Sequence, residues 1–248
     1  MQGTSAIGAI AAYVYRDLLR WSRARLNVIS TLAMPAAWLI FVGLALPTTF
    51  TDNYLDFITP SILVLTMLSA GLAGGSSLMF DKILGYLNKF LAMPAPRESI
   101  LMGKILFISI RGLIQATIIL AIALLIGATI LPLFAYLEMY GILFLFGVLV
   151  SGFGTTIALY LGDHDSYAAA QAFISMPLFF TSSALMPYSA MPPWLEFCAR
   201  LNPVSYAIDA ARAAAVGEIP FLPIIVLVFG AAVMLCICSV LFRGITVR

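Results

Sequence analysis

LMPYSAMPPWLEFCARLNPVSYAIDAAR, Leu185–Arg212, lies between two long apolar runs. It carries Pro187, Pro192, Pro193 and Pro203 together with Glu196, Arg200, Asp209 and Arg212. Proline removes a backbone donor and clashes with the preceding turn, so four of them exclude one continuous helix. A charge at the centre of a bilayer costs about 3 kcal/mol or more, so the stretch is not an ordinary membrane span either. Its aromatic residues and short patterned pieces set it apart from a plain linker. It reads as a folded cap, over 185–215, on one side of a membrane domain and placed to control what crosses there.

The composition of the rest supports a membrane domain. The 248 residues are 62% hydrophobic and 10% charged, with a mean hydropathy of +1.06. Water-soluble domains carry about 25% charged residues, so most of this surface must face lipid or other apolar helices. Backbone polar groups find no water in lipid, which makes helices the expected elements. The net charge of +2 is too small to indicate a nucleic-acid partner. Cys198, Cys236 and Cys238 lack metal-ligand spacing, and the last two lie inside an apolar run, where cysteine behaves as a small hydrophobe. Residues 1–15 lack the basic region that opens a cleavable signal peptide, so the first span is expected to direct insertion itself.

Apolar runs of about 20 residues predict spans at 29–48, 58–79, 105–131, 137–161, 167–186 and 220–242. These six define a transmembrane domain over 29–248, preceded by an interfacial segment over 1–28. In that segment an amphipathic helix is predicted over 5–27. Ile7, Ile10, Val14, Leu18 and Trp21 form one stripe, and Arg16, Arg20 and Arg23 occupy the opposite side. Arg16, Arg20, Arg23, Arg25, Lys82, Lys89, Arg97, Lys104, Arg243 and Arg248 all flank spans on one side, whereas the other side holds Arg200 and Arg212. The excess of Lys and Arg marks the cytosolic face, which puts both termini in the cytosol and the cap outside.

The span interiors hold few ionisable groups. Arg111 falls one or two turns into the predicted third span and is expected to snorkel to the cytosolic headgroups. Glu138 opens the fourth. No Asp, Glu or His stands at mid-span, which argues against coupling to an ion gradient. A phosphate-binding loop requires G-x-x-x-x-G-K-[ST]; Gly103-Lys104 lacks the upstream glycine and the following hydroxyl residue. Energy for uphill transport would therefore come from another polypeptide. His164 stands in the turn Gly162-Asp163-His164-Asp165-Ser166, which reads as a solvated polar turn rather than a metal site. No catalytic residues and no metal ligands are assigned. A passive channel or facilitator, or a scaffold subunit of another membrane complex, satisfies the spans equally well.

The segment between the second and third predicted spans, 80–104, carries the discriminating pattern. Ile83, Leu84, Leu87, Phe90 and Leu91 form an apolar stripe, with Lys82, Asn88 and Lys89 off it. Pro94 and Pro96 end that helix before another begins near Glu98. Asp81, Gly85, Pro94, Arg97, Gly103 and Lys104 stand at the offsets found in the permease subunits of type-2 ABC exporters, which this chain resembles. It has Asp at 81, where an acidic residue is usual, and Tyr86 where that family often has Thr. Pro192-Pro193-Trp194-Leu195, Asn202-Pro203, Asp209 and Arg212 match the family's external segment in order, and Pro35 fits its first span. Among these exporters the chain looks most similar to multidrug and daunorubicin-resistance permeases.

The resemblance implies an all-α, six-span protein of the plasma (inner) membrane, with a cytosolic coupling helix and external re-entrant helices before the last span. It implies a dimer with a second permease copy, expected to be a homodimer, and two copies of an ATP-binding cassette ATPase, which would hold the ATP and Mg²⁺. This chain would bind no cofactor. Asp81, Lys82, Leu84, Gly85, Leu87, Lys89, Pro94, Arg97 and Lys104 are the implied coupling residues, with Gly85 permitting close backbone approach. Pro192, Pro193, Trp194, Asn202, Pro203, Tyr206, Asp209 and Arg212 are the implied external gate. Trp38, Phe41, Phe173, Phe179 and Phe180 are candidates to line the path. The first and fifth spans would face the dimer interface, where Ala168, Ala169 and Ala170 allow close approach. Gly71-x-x-x-Gly75 reads as an internal packing site. The cargo expected is lipophilic or amphiphilic (a drug, an antibiotic or a lipid), with lipid-linked polysaccharide as the alternative.

Overall fold

The computed structural model describes residues 6–43, 54–91 and 96–244, and all regular structure among them is helical. The helices are α1 (Ala6–Arg23), α2 (Arg25–Ala37), α3 (Tyr54–Ile83), α4 (Tyr86–Leu91), α5 (Arg97–Leu125), α6 (Leu133–Tyr160), α7 (His164–Phe180), α8 (Pro193–Leu201), α9 (Pro203–Ala215) and α10 (Phe221–Arg243). Pro35 deprives α2 of one backbone bond, and the helix widens into a π-turn over Trp38–Val42.

The buried helix is α3. It packs against α5, α6 and α9, and its side chains from Tyr54 to Asp81 are mostly buried. Close packing of α3 on α6 depends on small residues. A methyl at Gly71 would lie 2.6 Å from Val150 Cγ1, and one at Gly75 would lie 2.5 Å from the Gly154 carbonyl oxygen. The Gly71-x-x-x-Gly75 pair thus serves internal packing, as its spacing suggested. Gly75→Ala is expected to cost about 1–3 kcal/mol through overpacking. Reversible unfolding in mixed micelles checks this, and wild-type stability in the variant would reject the close approach.

Among the described residues five helical stretches are long and apolar enough to cross a membrane: Arg25–Val42, α3, Glu98–Leu125, α6 and α10. The predicted span at 167–186 is the exception. Its helix, α7, has 17 residues and measures about 25 Å, less than the ~30 Å hydrocarbon core. It starts at His164, where the Asp163 side chain caps it, and ends at Phe180. From Thr181 the chain turns into irregular backbone held by side chains of α9. Non-helical backbone is stable at such a place because protein groups satisfy it.

The first helix is shorter than the predicted 5–27, and the chain enters α2 directly after Ala24. Its fully buried positions are Ala9, Tyr13 and Asp17; of the predicted stripe, Ile7 is exposed and Ile10, Val14, Leu18 and Trp21 are half-buried. The reason is Gly103 on α5: a methyl there would stand 2.8 Å from Tyr13 Cβ, so the glycine lets α1 lie against α5.

Candidate functional site

Between α2, α3, α5 and α7 lies a cavity of about 380 Å³. Trp38, Phe179 and Phe180 form one wall, with Trp38 and Phe179 at 5.0 Å between ring centres and Phe179 edge-on to Phe180 at 4.9 Å. Three of the five aromatic path candidates therefore meet. Phe41 and Phe173 do not: they are 71% and 81% exposed and stand outside the cavity. Period alone could not separate them, because their helices are apolar on several sides.

Polar side chains also line this largely apolar space, and sequence reasoning missed them. Arg111, Gln115, Gln171, Ser30 and Thr31 line the same space. Because α5 begins at Arg97, Arg111 is 14 residues and about 21 Å from that end, near the middle of a helix about 43 Å long. It is 7% exposed, and one guanidinium nitrogen donates to the Ala70 carbonyl at 3.2 Å. Gln115, one turn later, donates to Thr31 Oγ1 at 2.8 Å, tying α5 to α2. The Arg111-x-x-x-Gln115 spacing was the available signal, since residues four apart share a helix face. The interior of α5 therefore carries a buried charge at a position that the sequence reading placed near a span end.

A second cavity of about 230 Å³ lies toward α1, and Arg111 and Ala73 line both. Beside it is a buried ion cluster. Lys104 Nζ sits 2.8 Å from Asp17 Oδ2 and 2.5 Å from Asp81 Oδ2, and donates to Ser77 Oγ at 2.9 Å. Arg16 contacts Asp17 at 2.6 Å and Asp81 at 3.5 Å, and Arg20 reaches Asp81 at 3.7 Å. Asp17, Asp81 and Lys104 are 3%, 1% and 1% exposed. The cluster joins α1, α3 and α5. Asp17 had gone unremarked in the sequence, although it is the one acid in an arginine-rich helix.

The segment expected to form one amphipathic coupling helix is instead two pieces. The chain leaves α3 at Ile83 and turns through Gly85, whose φ is +72°, before α4 starts at Tyr86. A left-handed residue at a helix end favours glycine, and it resets the register of the apolar stripe. Ile83, Leu84 and Tyr86 are exposed, while Leu87 is buried in the chain's own core. Asp81 and Lys104 belong to the ion cluster, so neither side chain is available for an outside contact. Lys82 donates to the carbonyls of Leu159 and Leu161 at 3.3 and 2.8 Å, and Lys89 lies over the Tyr86 ring at 5.4 Å. Nothing stands within 4 Å of a methyl built on Gly85. Pro94 and the side chain of Arg97 lie outside the described residues.

The turn at Gly162–Ser166 is a helix cap. Asp163 accepts from the Ser166 backbone at 2.8 Å and from its hydroxyl at 2.7 Å, which holds that carboxyl below the usual range. The His164 ring stacks on Phe80 with 4.6 Å between centres.

At the opposite end the cap is bonded into the bundle. Asn202 Oδ1 caps α9 by accepting from Val204 N at 2.9 Å, and Asn202 Nδ2 donates to the Leu178 carbonyl at 2.8 Å. Asp209 accepts from Ser183 Oγ at 3.0 Å and Tyr188 Oη at 2.7 Å. Burial and the Asp209 carboxylate push the Tyr188 phenol up to about 12, so it stays a donor. Arg212 donates to the Phe57 carbonyl at 3.2 Å, to Ser61 Oγ at 2.7 Å and to the Ala184 carbonyl at 3.2 Å, and lies 3.6 Å from the Phe57 ring centre. Pro193 and Pro203 occupy first turns, where a missing N–H leaves nothing unpaired. Trp194 is 66% exposed on α8, together with Phe197 and Leu201 on the same apolar face. Tyr206 is half-buried, and Pro192 caps α8.

The described residues thus hold a cavity among the helices, a segment bonded into the bundle at one end and a bonded cap at the other. A family model described as ABC-2 type transporter matches residues 8–216. The chain is 32% identical over 206 residues to the putative transport permease ycf38 of Cyanophora paradoxa, spanning 80% of this chain and 71% of that one. It is 34% identical over 213 residues to the ycf38 permease of Porphyra purpurea, with 83% and 73% covered. A probable doxorubicin resistance ABC transporter permease, DrrC of Mycobacterium tuberculosis, is 27% identical over 233 residues, with 91% and 83% covered. The chain belongs to the ABC-2 type transporters and is a membrane-spanning permease subunit of that family.

Proposed function

We propose that two copies of this chain form the membrane part of an ATP-driven exporter, each docking one ATPase subunit at the segment Ile83–Lys89. The observation that carries this is the exposed apolar surface of Ile83, Leu84 and Tyr86 beside the open space at Gly85, on a mount that is itself fixed. Asp81 in the ion cluster, Lys82 on the α6–α7 turn and Leu87 in the core hold that surface from three directions. A rigid mount transmits a push into α3, α5 and α6 rather than absorbing it. ATP and Mg²⁺ belong to the ATPase in this scheme. In this scheme the lysine and arginine excess puts this end and both termini on the cytosolic side, and the membrane is the plasma (inner) membrane that the resemblance implies.

The dimer reading is supported by α2, which has no buried residue over Arg25–Ala37, and by α7, which buries Tyr167 alone. These surfaces carry Asn27, Gln171 and Ser175, groups poorly suited to lipid, so a second copy covers them and encloses the cavity. A space of about 380 Å³ suits a drug-sized or lipid-like amphiphile, the class that relatives named for doxorubicin and daunorubicin resistance would share.

Co-purification in mild detergent tests the docking. The wild-type chain is expected to retain a stoichiometric ATPase, and Leu84→Asp to weaken that association about tenfold or more. Because Leu84 is exposed, thermal stability should stay unchanged. An ATPase that remains bound to the variant, or none bound to the wild type, would reject the docking surface.

A further inference from the structure

Arg111 has a role that helix-to-helix bonding does not exhaust. Its Nε is buried without a hydrogen-bond partner, and no carboxylate pairs with it among the described residues. Asp17 shares the neighbouring cavity but is engaged by Lys104 and Arg16. In that cluster three cations already share two carboxylates. The two cavities meeting at Arg111 therefore hold surplus positive charge near the middle of α5. A buried charge is stable only when paired or well hydrogen-bonded, and an unpaired cation facing a cavity calls for an anion.

The surroundings define the shape of that anion's carrier. Besides Arg111 the cavity offers the polar side chains of Gln171, Ser69 and Ser175 and the aromatic ones of Trp38, Phe179 and Phe180. Gln171 is half-buried, and its side chain makes no hydrogen bond among the described residues. A charged head beside an apolar body fits this division. We propose that the cavity between α2, α3, α5 and α7 binds the anionic head, carboxylate or phosphate, of an amphiphile, with Arg111 as its counter-charge and the aromatic wall holding its apolar part. The proposal deepens the transport reading by naming a substrate class, yet its test needs no ATPase.

The full-length chain in phosphatidylcholine nanodiscs is titrated at pH 9 with a spin-labelled stearate and, separately, with its methyl ester, and the immobilised fraction is read by electron paramagnetic resonance. The acid is expected to bind about tenfold or more tighter than the ester. Arg111→Gln should abolish that preference, and Arg111→Lys should keep most of it. A purely structural arginine would leave the preference unchanged, which overturns the proposal, as does equal binding of acid and ester by the wild type. If Arg111→Gln fails to fold, Gln171→Glu serves instead: an added carboxylate should repel the acid and spare the ester, and an undiminished preference would overturn the proposal. Adding phosphatidic acid to the disc separates the two sources of the anion. Displacement assigns it to a membrane phospholipid, and retention of the acid assigns it to a cargo carboxylate; either supports the site.

Discussion

Lys104→Met is expected to be among the most destabilising single substitutions in this chain. It removes the ammonium that lies between Asp17 and Asp81 and leaves two buried carboxylates, Asp17 with Arg16 at 2.6 Å and Asp81 with only the longer contacts of Arg16 and Arg20. Removing one partner of a buried ionic group costs about 3–5 kcal/mol, because the remaining charge keeps its desolvation penalty. The cost has a structural location: α1 would detach from α5 and the end of α3 would loosen. The check is thermal unfolding of the purified chain together with protease sensitivity between Arg23 and Arg25. A companion variant isolates the cause. Asp17→Asn and Asp81→Asn added to Lys104→Met should recover most of the lost stability, since no uncompensated carboxylate remains. If Lys104→Met is as stable as the wild type, the cluster does not hold α1.

Arg212→Met should act at the other end with similar size. The guanidinium serves Phe57, Ser61 and Ala184 at once, so it fastens α9 to α3 and to the irregular backbone after α7. Hydrogen bonds from a charged donor contribute about 1.5–3 kcal/mol each, and the carbonyls left behind are buried, so a loss of about 3 kcal/mol or more is expected. Methionine fills the space but donates nothing. Arg212→Lys should recover only part, because an ammonium lacks the planar fork that reaches several acceptors together. Limited proteolysis within 181–192 reads the effect locally. Unchanged cleavage in Arg212→Met would mean that burial of Val204, Ala207, Ile208 and Ala211 alone holds the cap.

These two sites show where the sequence was informative. Arg212 and Asp209 were singled out in the cap from charge among prolines, and the structure places both in the hydrogen-bonded network there. Asp81 and Lys104 were noticed through their offsets and named as coupling residues, yet they meet each other and Asp17 inside the bundle. A motif reports that residues occupy set positions; it does not report which way they point. Leu87 shows the same limit. One left-handed residue, Gly85, rotated it away from Leu84 and into the core.

From the amino-acid order alone came the helical membrane class, the break of the chain into a cap after the penultimate apolar run, the lysine and arginine asymmetry and the resemblance to type-2 ABC permeases. Each depends on local chemistry: backbone groups must be satisfied in lipid, proline cannot continue a helix, and charges avoid the hydrocarbon core. Tertiary structure alone decided that α7 is too short for an ordinary span, that Phe41 and Phe173 face outward, and that Arg111 stands at a cavity wall. In a chain that is 62% hydrophobic, apolar character no longer tells lipid-facing from protein-facing sides. Only the packing of distant helices assigns them, and only that packing brings Asp17, Asp81 and Lys104, far apart in sequence, within ionic reach.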